Sequence, residues 1–405
     1  MATSKKTTQQ LVLENGNQLA NEAGFDSAGE YLESLREGIN SPNKARSMDA
    51  SRAAGDFTSK LTLLTLYQAI DGEFNLGVYD WVNKFEVSKI TAGNSKQFIR
   101  NILTGADDYN ENTFNPSTAT KPQVDAYTIS LYSTNTTSSA TATLSTYAKK
   151  IVKPLTILKA EWMPYFISGK LQEFVNKIAQ QINESVSLIK FDLFQQMINK
   201  IKTGYNTSNQ QEGMKKVFDE SGRTGAVNIS AQVTNILDVF TKVVFPNITN
   251  MAFLNKEYNI SLRGQESTTL NSSSRDDILI LVNNKTYTKL TSGVLANVFN
   301  NRLASVEKYI NPDNIIPCGR KITTSNSSTA IGVHDSEDLI AENEVLVINK
   351  NVFKSLLFVD ESGSQSYVTN MSLQLVAHLW IACGIIPWGQ GFVVRTDKLT
   401  VMPNV

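Results

Sequence analysis

Histidine and cysteine are nearly absent: the 405 residues contain two of each. The thiols of Cys318 and Cys383 cannot build a disulfide framework, and they fit a chain made in a reducing cytoplasm. A zinc site would have to gather both cysteines with His334 and His378, from positions lacking the usual paired spacing, so no metal or other cofactor is expected. Charge of either sign is in no excess, with Lys+Arg 38 against Asp+Glu 38. That balance excludes a protein whose task is to neutralise nucleic-acid phosphate, and leaves weak, non-specific contact with DNA. Long apolar runs are missing as well. The greasiest stretch, Leu373 to Trp388, is interrupted by His378, Gly384 and Pro387 and reads as buried core, so no membrane partner is expected. Met1 to Gln10 has lysines without an apolar stretch behind them, unlike a secretory signal. Triplets such as Asn135-Thr-Thr137, Asn183-Glu-Ser185 and Asn326-Ser-Ser328 are then products of an Asn/Ser/Thr-rich composition.

Motifs of catalysis are equally scarce. No serine stands in a nucleophile elbow, and no phosphate-binding loop is present. Gly389-Gln-Gly391 lacks the third glycine of a dinucleotide fingerprint. Asp108-Tyr-Asn110-Glu-Asn112 opens like a calcium loop, but Thr113 stands where the turn glycine belongs and Ala119 where the closing glutamate belongs. Gly332-Val-His-Asp335 could supply an acid-base pair in a hydrolase, although a surface loop accounts for it as well. His378, in Val376-Ala-His-Leu-Trp380, reads as a core histidine. No catalytic residue is expected.

What is present is a succession of distinct elements. A length of 405 residues suits two or three domains at roughly 150 residues each. Ser27 with Glu30 forms a capping box ahead of Tyr31, Leu32 and Leu35, and Asn40-Ser-Pro42 stops that helix. A second helical pattern runs through Leu61, Leu64, Leu66 and Ile70 to Gly72. Two short helices on a polar tether are expected to pack on something else. Residues 105–121 read as loop. Tyr127, Ile129 and Leu131 alternate with polar residues as in a strand, 133–146 is small and polar, and Val152, Leu155 and Ile157 follow on another strand. Together they predict a long hairpin.

Ser168 is the expected N-cap of a long helix carrying Leu171, Phe174, Val175, Ile178, Ile182, Val186, Ile189, Leu193, Met197 and Ile201 on its packing face. Lys177, Gln180, Gln181, Glu184, Gln195 and Gln196 are assigned to its polar face. Lys200 and Lys202 suit the negative end of its dipole, and Gly204 suits its C-cap. This rod is expected to lie on a sheet. Further on, Ile278 to Val282 with Asn283, Tyr287 and Leu290, and Val345 to Ile348 with Asn349, Phe353 and Leu356, both read as strand, asparagine turn, helix. Strands at Phe392 to Val394 and Lys398 to Met402 close an α+β chain.

In order and kind these elements resemble the shell proteins of tailed bacteriophages, which share the Hong Kong-type capsid fold with the herpesvirus floor. The resemblance covers most of the chain. It is carried best by Lys149 to Ile201 and Arg275 to Leu290. It implies an N-terminal arm over 1–96, an extended hairpin over 107–162 with its tip at 133–146, and a peripheral domain over 163–227 holding the spine helix 168–204. An axial domain over 228–379 and a return to the peripheral domain over 380–405 complete it. Further implied is a major capsid protein assembling into the hexamers and pentamers of an icosahedral or prolate head around double-stranded DNA, aided by a portal and a separate scaffolding protein. Inter-subunit contacts would come from Tyr127, Ile129, Leu131, Lys149 and Lys150. Leu171, Val175, Ile178, Ile182, Val186, Ile189 and Leu193 would pack the spine helix. The asparagine-rich style points to a small podovirus-like phage of a low-GC Gram-positive host such as a staphylococcus. Two alternatives stay open: a motif-poor phage cell-wall hydrolase using His334 and Asp335, and the shell protein of a bacterial nanocompartment.

Overall fold

The computed structural model describes residues 8–69, 77–90, 95–101, 124–130, 146–202, 213–219, 233–260, 270–291, 311–323, 333–368, 372–386 and 388–402. Two sheets organise them. The first has four strands in the order β1 (Glu86–Ile90), β11 (Phe353–Val368), β12 (Ser372–Ile385), β4 (Thr146–Leu158), with β1 parallel to β11 and the other pairs antiparallel. The second has five, β5 (Lys215–Asp219), β13 (Gly391–Arg395), β10 (Glu344–Asn349), β6 (Ile278–Asn283) and β7 (Ile315–Cys318). Two-stranded ribbons pair β2 (Ser95–Asn101) with β3 (Val124–Ser130), and β8 (Arg320–Thr323) with β9 (Val333–Asp338).

Strand alternation divides the five-stranded sheet between two cores. Leu279, Leu281, Leu346, Ile348 and Val393 face the larger core. Ile278, Ile280, Val282, Val345, Val347, Phe392 and Val394 face a second core filled by Phe240, Val243, Val244 and Ile248. Successive side chains point to opposite faces, so a strand covered on both sides must be apolar at every position. This is why Ile278 to Val282 and Val345 to Ile348 are unbroken apolar runs. The second core is closed by α6 (Ile236–Asp238), which passes through a π-helical stretch, Val239–Val244, into α7 (Phe245–Met251).

A long rod backs the first sheet. Helix α5 spans Leu171–Lys202, 32 residues, or roughly 48 Å at 1.5 Å per residue. Lys200 and Lys202 stand in its last turn and Glu173 in its first, each favourable to the helix dipole. Ser168 does not cap it. Ser168 ends the preceding helix α4 (Lys159–Ile167), and Gly169 follows with φ of 77°. Gly169 N–H donates to Phe166 O at 3.3 Å and Lys170 N–H to Tyr165 O at 2.8 Å. That pair of bonds closes a C-terminal motif needing a left-handed residue, so Gly169 separates the two helices.

The N-terminal region holds three helices rather than the two expected: α1 (Thr8–Glu22), α2 (Ala28–Ile39) and α3 (Lys44–Ala69). Ser27 Oγ accepts from Glu30 N–H at 3.3 Å, as the capping pattern required, and α2 ends at Asn40. The helices pack on the rod: Val12, Leu35, Ala54, Phe57 and Leu61 join the core that contains α5. Arg36 Nε donates to Phe166 O at 3.1 Å and Gln172 Nε2 to Gln9 O at 2.9 Å.

Strand partnership departs from expectation in three places. β3 and β4 do not form the hairpin expected over 107–162; β3 pairs with β2, and β4 pairs with β12. Alternation identifies a strand but not its partner, and here the partners are supplied from outside the 107–162 segment. The second asparagine unit is also different. Asn283 Oδ1 accepts from Lys285 N–H at 2.9 Å and starts α8 (Asn284–Lys289), but Asn349, which binds Asn351 N–H the same way, leads into β11. Phe353 and Leu356 are strand residues, held by long pairing with β12. Finally, the strand expected at Lys398 to Met402 is not formed. β12 ends on the four-stranded sheet, β13 is internal to the five-stranded one, and Asp397–Thr400 is a 3-10 turn instead of a strand. The 105–121 loop, the calcium-like run at 108–119, tip residues 133–145 and Gly204 lie outside the described residues.

Candidate functional site

The ribbon β2–β3 is registered from Ser95↔Ser130 to Asn101↔Val124. Tyr127 and Ile129 are buried against Leu356, Ala382 and Ile386 on the outer face of the four-stranded sheet, with Phe98, Phe358, Trp380 and Trp388 partly buried around them. Between these two, Thr128 faces out. On β2, Lys96 Nζ sits 5.2 Å from the centroid of the Phe98 ring, and Ile99 is exposed. Two strands alone are marginal in water, so the ribbon depends on this seat. Each of its strands has the other as its one sheet partner among the described residues, leaving both outer edges open.

Of the expected contact residues, Tyr127 and Ile129 are therefore on the ribbon. Lys149 and Lys150 are not beside them. They lie on β4, opposite Ile381 and Trp380, at the edge of the four-stranded sheet. Leu131 is outside the described residues. On α5, Leu171, Val175, Ile178, Ile182, Val186 and Leu193 are buried, and Ile189 is half-buried. Phe191 and Phe194 are buried there too; Phe194 joins Phe85 and Phe353 in a ring cluster with centroids 5.1–5.8 Å apart. Gln195 is a correction: it is buried, not on a solvent face. Its Nε2 donates to Ile322 O at 3.0 Å and its Oε1 accepts from Ile322 N–H at 2.7 Å, so one amide pins β8 to the rod. Nothing in the spacing could show that partner.

Two joints connect rod and sheets. At the C-terminal end of α5, Arg395 binds Glu344 Oε1 through Nε (2.9 Å) and Nη2 (2.8 Å), and also donates to Lys202 O. Lys202 Nζ lies 3.5 Å from Glu344 Oε2 and donates to Leu339 O at 2.9 Å. At the other joint, connectors 349–352 and 386–391 run together between the sheets: Asn349 N–H donates to Gln390 O and Ile386 N–H to Val352 O. A Cβ on Gly389 would stand 2.9 Å from Val352 Cα, and one on Gly391 2.8 Å from Val347 O. The glycines that fail as a nucleotide fingerprint serve this close approach. Buried Gln390 accepts from Ser273 Oγ (2.7 Å), to which Asn349 Nδ2 donates (2.8 Å).

His334 and Asp335 are neighbours on β9, where His334 pairs with Ile322 of β8. Among the described residues no three His, Cys, Asp or Glu side chains cluster as metal ligands. Cys318 and Cys383 are free and buried; desolvation raises both thiols, Cys383 to about 12.

No curated protein matches the chain. Among solved structures it is similar to a chain in the capsid of Staphylococcus phage Andhra, with 14% identity over 81% of this chain and 86% of that one and a TM-score of 0.44. It is similar also to a chain in a structure of the head fiber and inner core protein of bacteriophage P68, with 12% identity, 78% and 84% coverage and a TM-score of 0.42. A chain in the capsid of cyanophage P-SCSP1u gives 13%, 77% and 86%, and 0.41. The model of the Phi29-like phage major capsid protein family matches residues 81–385. That match runs from Trp81 through the ribbon and the rod to the end of β12, and the chain belongs to this family of phage head shell proteins.

Proposed function

We propose that this subunit assembles with copies of itself into hexamers and pentamers of an icosahedral or prolate head enclosing double-stranded DNA. The observation that carries the reading is uneven anchoring. The rod, the N-terminal helices and one face of each sheet share a single core, whereas the ribbon sits on a separate cluster of five buried residues. A stiff plate with a lightly seated extension suits tiling, because each extension can engage a neighbour without disturbing the plate. Contacts that are weak singly become strong when a closed array makes many of them together.

A portal and a separate scaffolding protein would complete assembly, and the product would reside in the virion after synthesis in the host cytoplasm. DNA contact would be weak and non-specific, in keeping with a net charge of zero. Tight sequence-specific retention on filters would contradict that part. The chain would have no catalytic role, so His334→Ala should leave particle yield unchanged. Among the described residues no helix is long and apolar enough to cross a membrane.

Negative-stain microscopy and sedimentation of the purified chain test the central claim: closed particles are expected. Replacing residues 102–123 with a short Gly-Ser turn should stop closure while the subunit stays folded. Normal shells from that variant would show that closure does not need the extension to engage a neighbour.

A further inference from the structure

We infer that a pocket beside β2 binds a neutral sugar ring, a pyranose, a function beyond shell assembly. The pocket has a volume of about 350 Å³ and lies where the ribbon meets the connectors between the two sheets. All of its walls belong to one copy of the chain.

A bare acceptor marks the site. Asn271, a wall residue, is only 4% exposed, and its Oδ1 has no hydrogen-bond partner among the described residues. The side chain is held where it stands. Its backbone is bonded to that of Asn255 in both directions at 2.8 Å, and its Nδ2 donates to Trp388 O. A carbonyl oxygen can only accept, so the amide nitrogen must stay there and Oδ1 stays bare. A buried acceptor in that state calls for an incoming O–H or N–H. At ~30 Å³ per molecule the pocket has room for roughly twelve waters, far more than one oxygen needs.

The remaining walls decide what carries the donor. Charge is already engaged: Lys350 pairs with Asp277, Lys354 donates to Asn351 Oδ1 at 3.1 Å, and Arg100 has a partner of its own. An ionic ligand would have to displace those contacts. Neutral groups are what is left. The Ser272 hydroxyl, on an exposed residue, and Asn351 Nδ2 have no partner among the described residues. An acceptor, a donor and a hydroxyl that can do either suit a ring of hydroxyls, each of which donates and accepts. Trp388 adds an aromatic wall, half-buried against the cluster of Tyr127 and Ile129. The C–H face of a pyranose is apolar and slightly positive, and it packs on the negative face of an aromatic ring. Apolar walls with a few placed polar groups, in a cleft of ~300 Å³ or more, are the usual form of a small-molecule site.

Titrating the purified chain with methyl glucoside, methyl galactoside and methyl N-acetylglucosaminide, with glycerol as control, tests this by calorimetry and tryptophan fluorescence. At least one glycoside is expected to bind, and glycerol is not. Ser272→Trp fills the pocket from an exposed position, so it should abolish binding and leave the thermal midpoint unchanged. Asn271→Leu removes the bare acceptor and should weaken binding by about tenfold or more. That variant also loses the contact with Trp388 O, so Ser272→Trp decides the matter if it does not fold. Trp388→Phe keeps a ring and should retain binding while losing the fluorescence change. Maltotriose and chitotriose separate the sources: binding of a trisaccharide as well assigns a surface glycan, and binding of the glycosides alone assigns a free sugar. No bound glycoside, binding undiminished in Ser272→Trp, or glycerol bound as well as the glycosides would each overturn the inference.

Discussion

The five-stranded sheet is covered on both faces, while among the described residues the four-stranded sheet has helices on one face and the ribbon on the other. Its central strands show the difference. In β12, Leu379, Ile381, Cys383 and Ile385 point into the main core, whereas Ala382 and Trp380 point toward Tyr127 and Ile129. The doubly covered sheet is a shared wall, and anything that loosens it should loosen both cores. The ribbon is a cover laid on one face. Disturbing it should cost less stability and more assembly.

Glu344→Ala should break the comparison hardest on the wall side. It leaves Arg395 and Lys202 without their carboxylate at a site where Glu344 is 4% exposed. Removing one partner of a buried pair costs about 3–5 kcal/mol, and the lower end applies here because both cations keep some solvent. Chemical denaturation of the unassembled subunit reads the loss; a change under ~1 kcal/mol would mean the joint is dispensable. Leu281→Ala comes next. Leu281 is fully buried on β6, and such truncations cost about 2–5 kcal/mol with the cavity they leave. Ile129→Ala is expected to cost about 2 kcal/mol, the low end, because the small cluster around it can relax. Its larger effect should be on particle yield. Equal stability losses from Leu281→Ala and Ile129→Ala would erase the distinction between wall and cover.

The same contrast explains what the sequence could reveal. Apolar runs at 278–282 and 345–348 were readable as strands because double burial demands them, and the rod was readable because its apolar positions recur at helical spacing. Asn283 was legible as a cap because that interaction is local. Partners were not legible. β3 reads as a strand in isolation, but whether it joins β2 or β4 is decided by the face of β11 and β12, more than 200 residues away. Asn349 has the same local signature as Asn283 and yet precedes a strand, because long pairing with β12 outweighs local propensity. Of the contact residues expected, Tyr127 and Ile129 carried a periodic signal and sit on the ribbon. The surface where Asn271, Lys354 and Trp388 meet beside β2 carried none, because tertiary structure brings them together.

The smallest expected effect lies at the edge of the second core, where Asp238 closes the start of α6. Its carboxylate accepts from Thr234 N–H at 3.0 Å and Thr234 Oγ1 at 2.6 Å and pairs with Lys242 Nζ at 2.7 Å, while Asn235 Oδ1 accepts from Asp238 N–H at 3.1 Å. The lysine first, then the threonine, hold the Asp238 carboxyl at about 2, below its ordinary 3.8. A carboxyl depressed in the folded state stabilises it above the unfolded value, and that contribution fades as pH falls from about 4 through 2. Solvent around this pair keeps it under ~1 kcal/mol. Asp238→Asn should therefore flatten a small acid-side slope in the denaturation midpoint and leave neutral-pH shell closure unchanged. A loss at pH 7 as large as that of Leu281→Ala would mean that α6 is part of the shared wall and not a lid upon it.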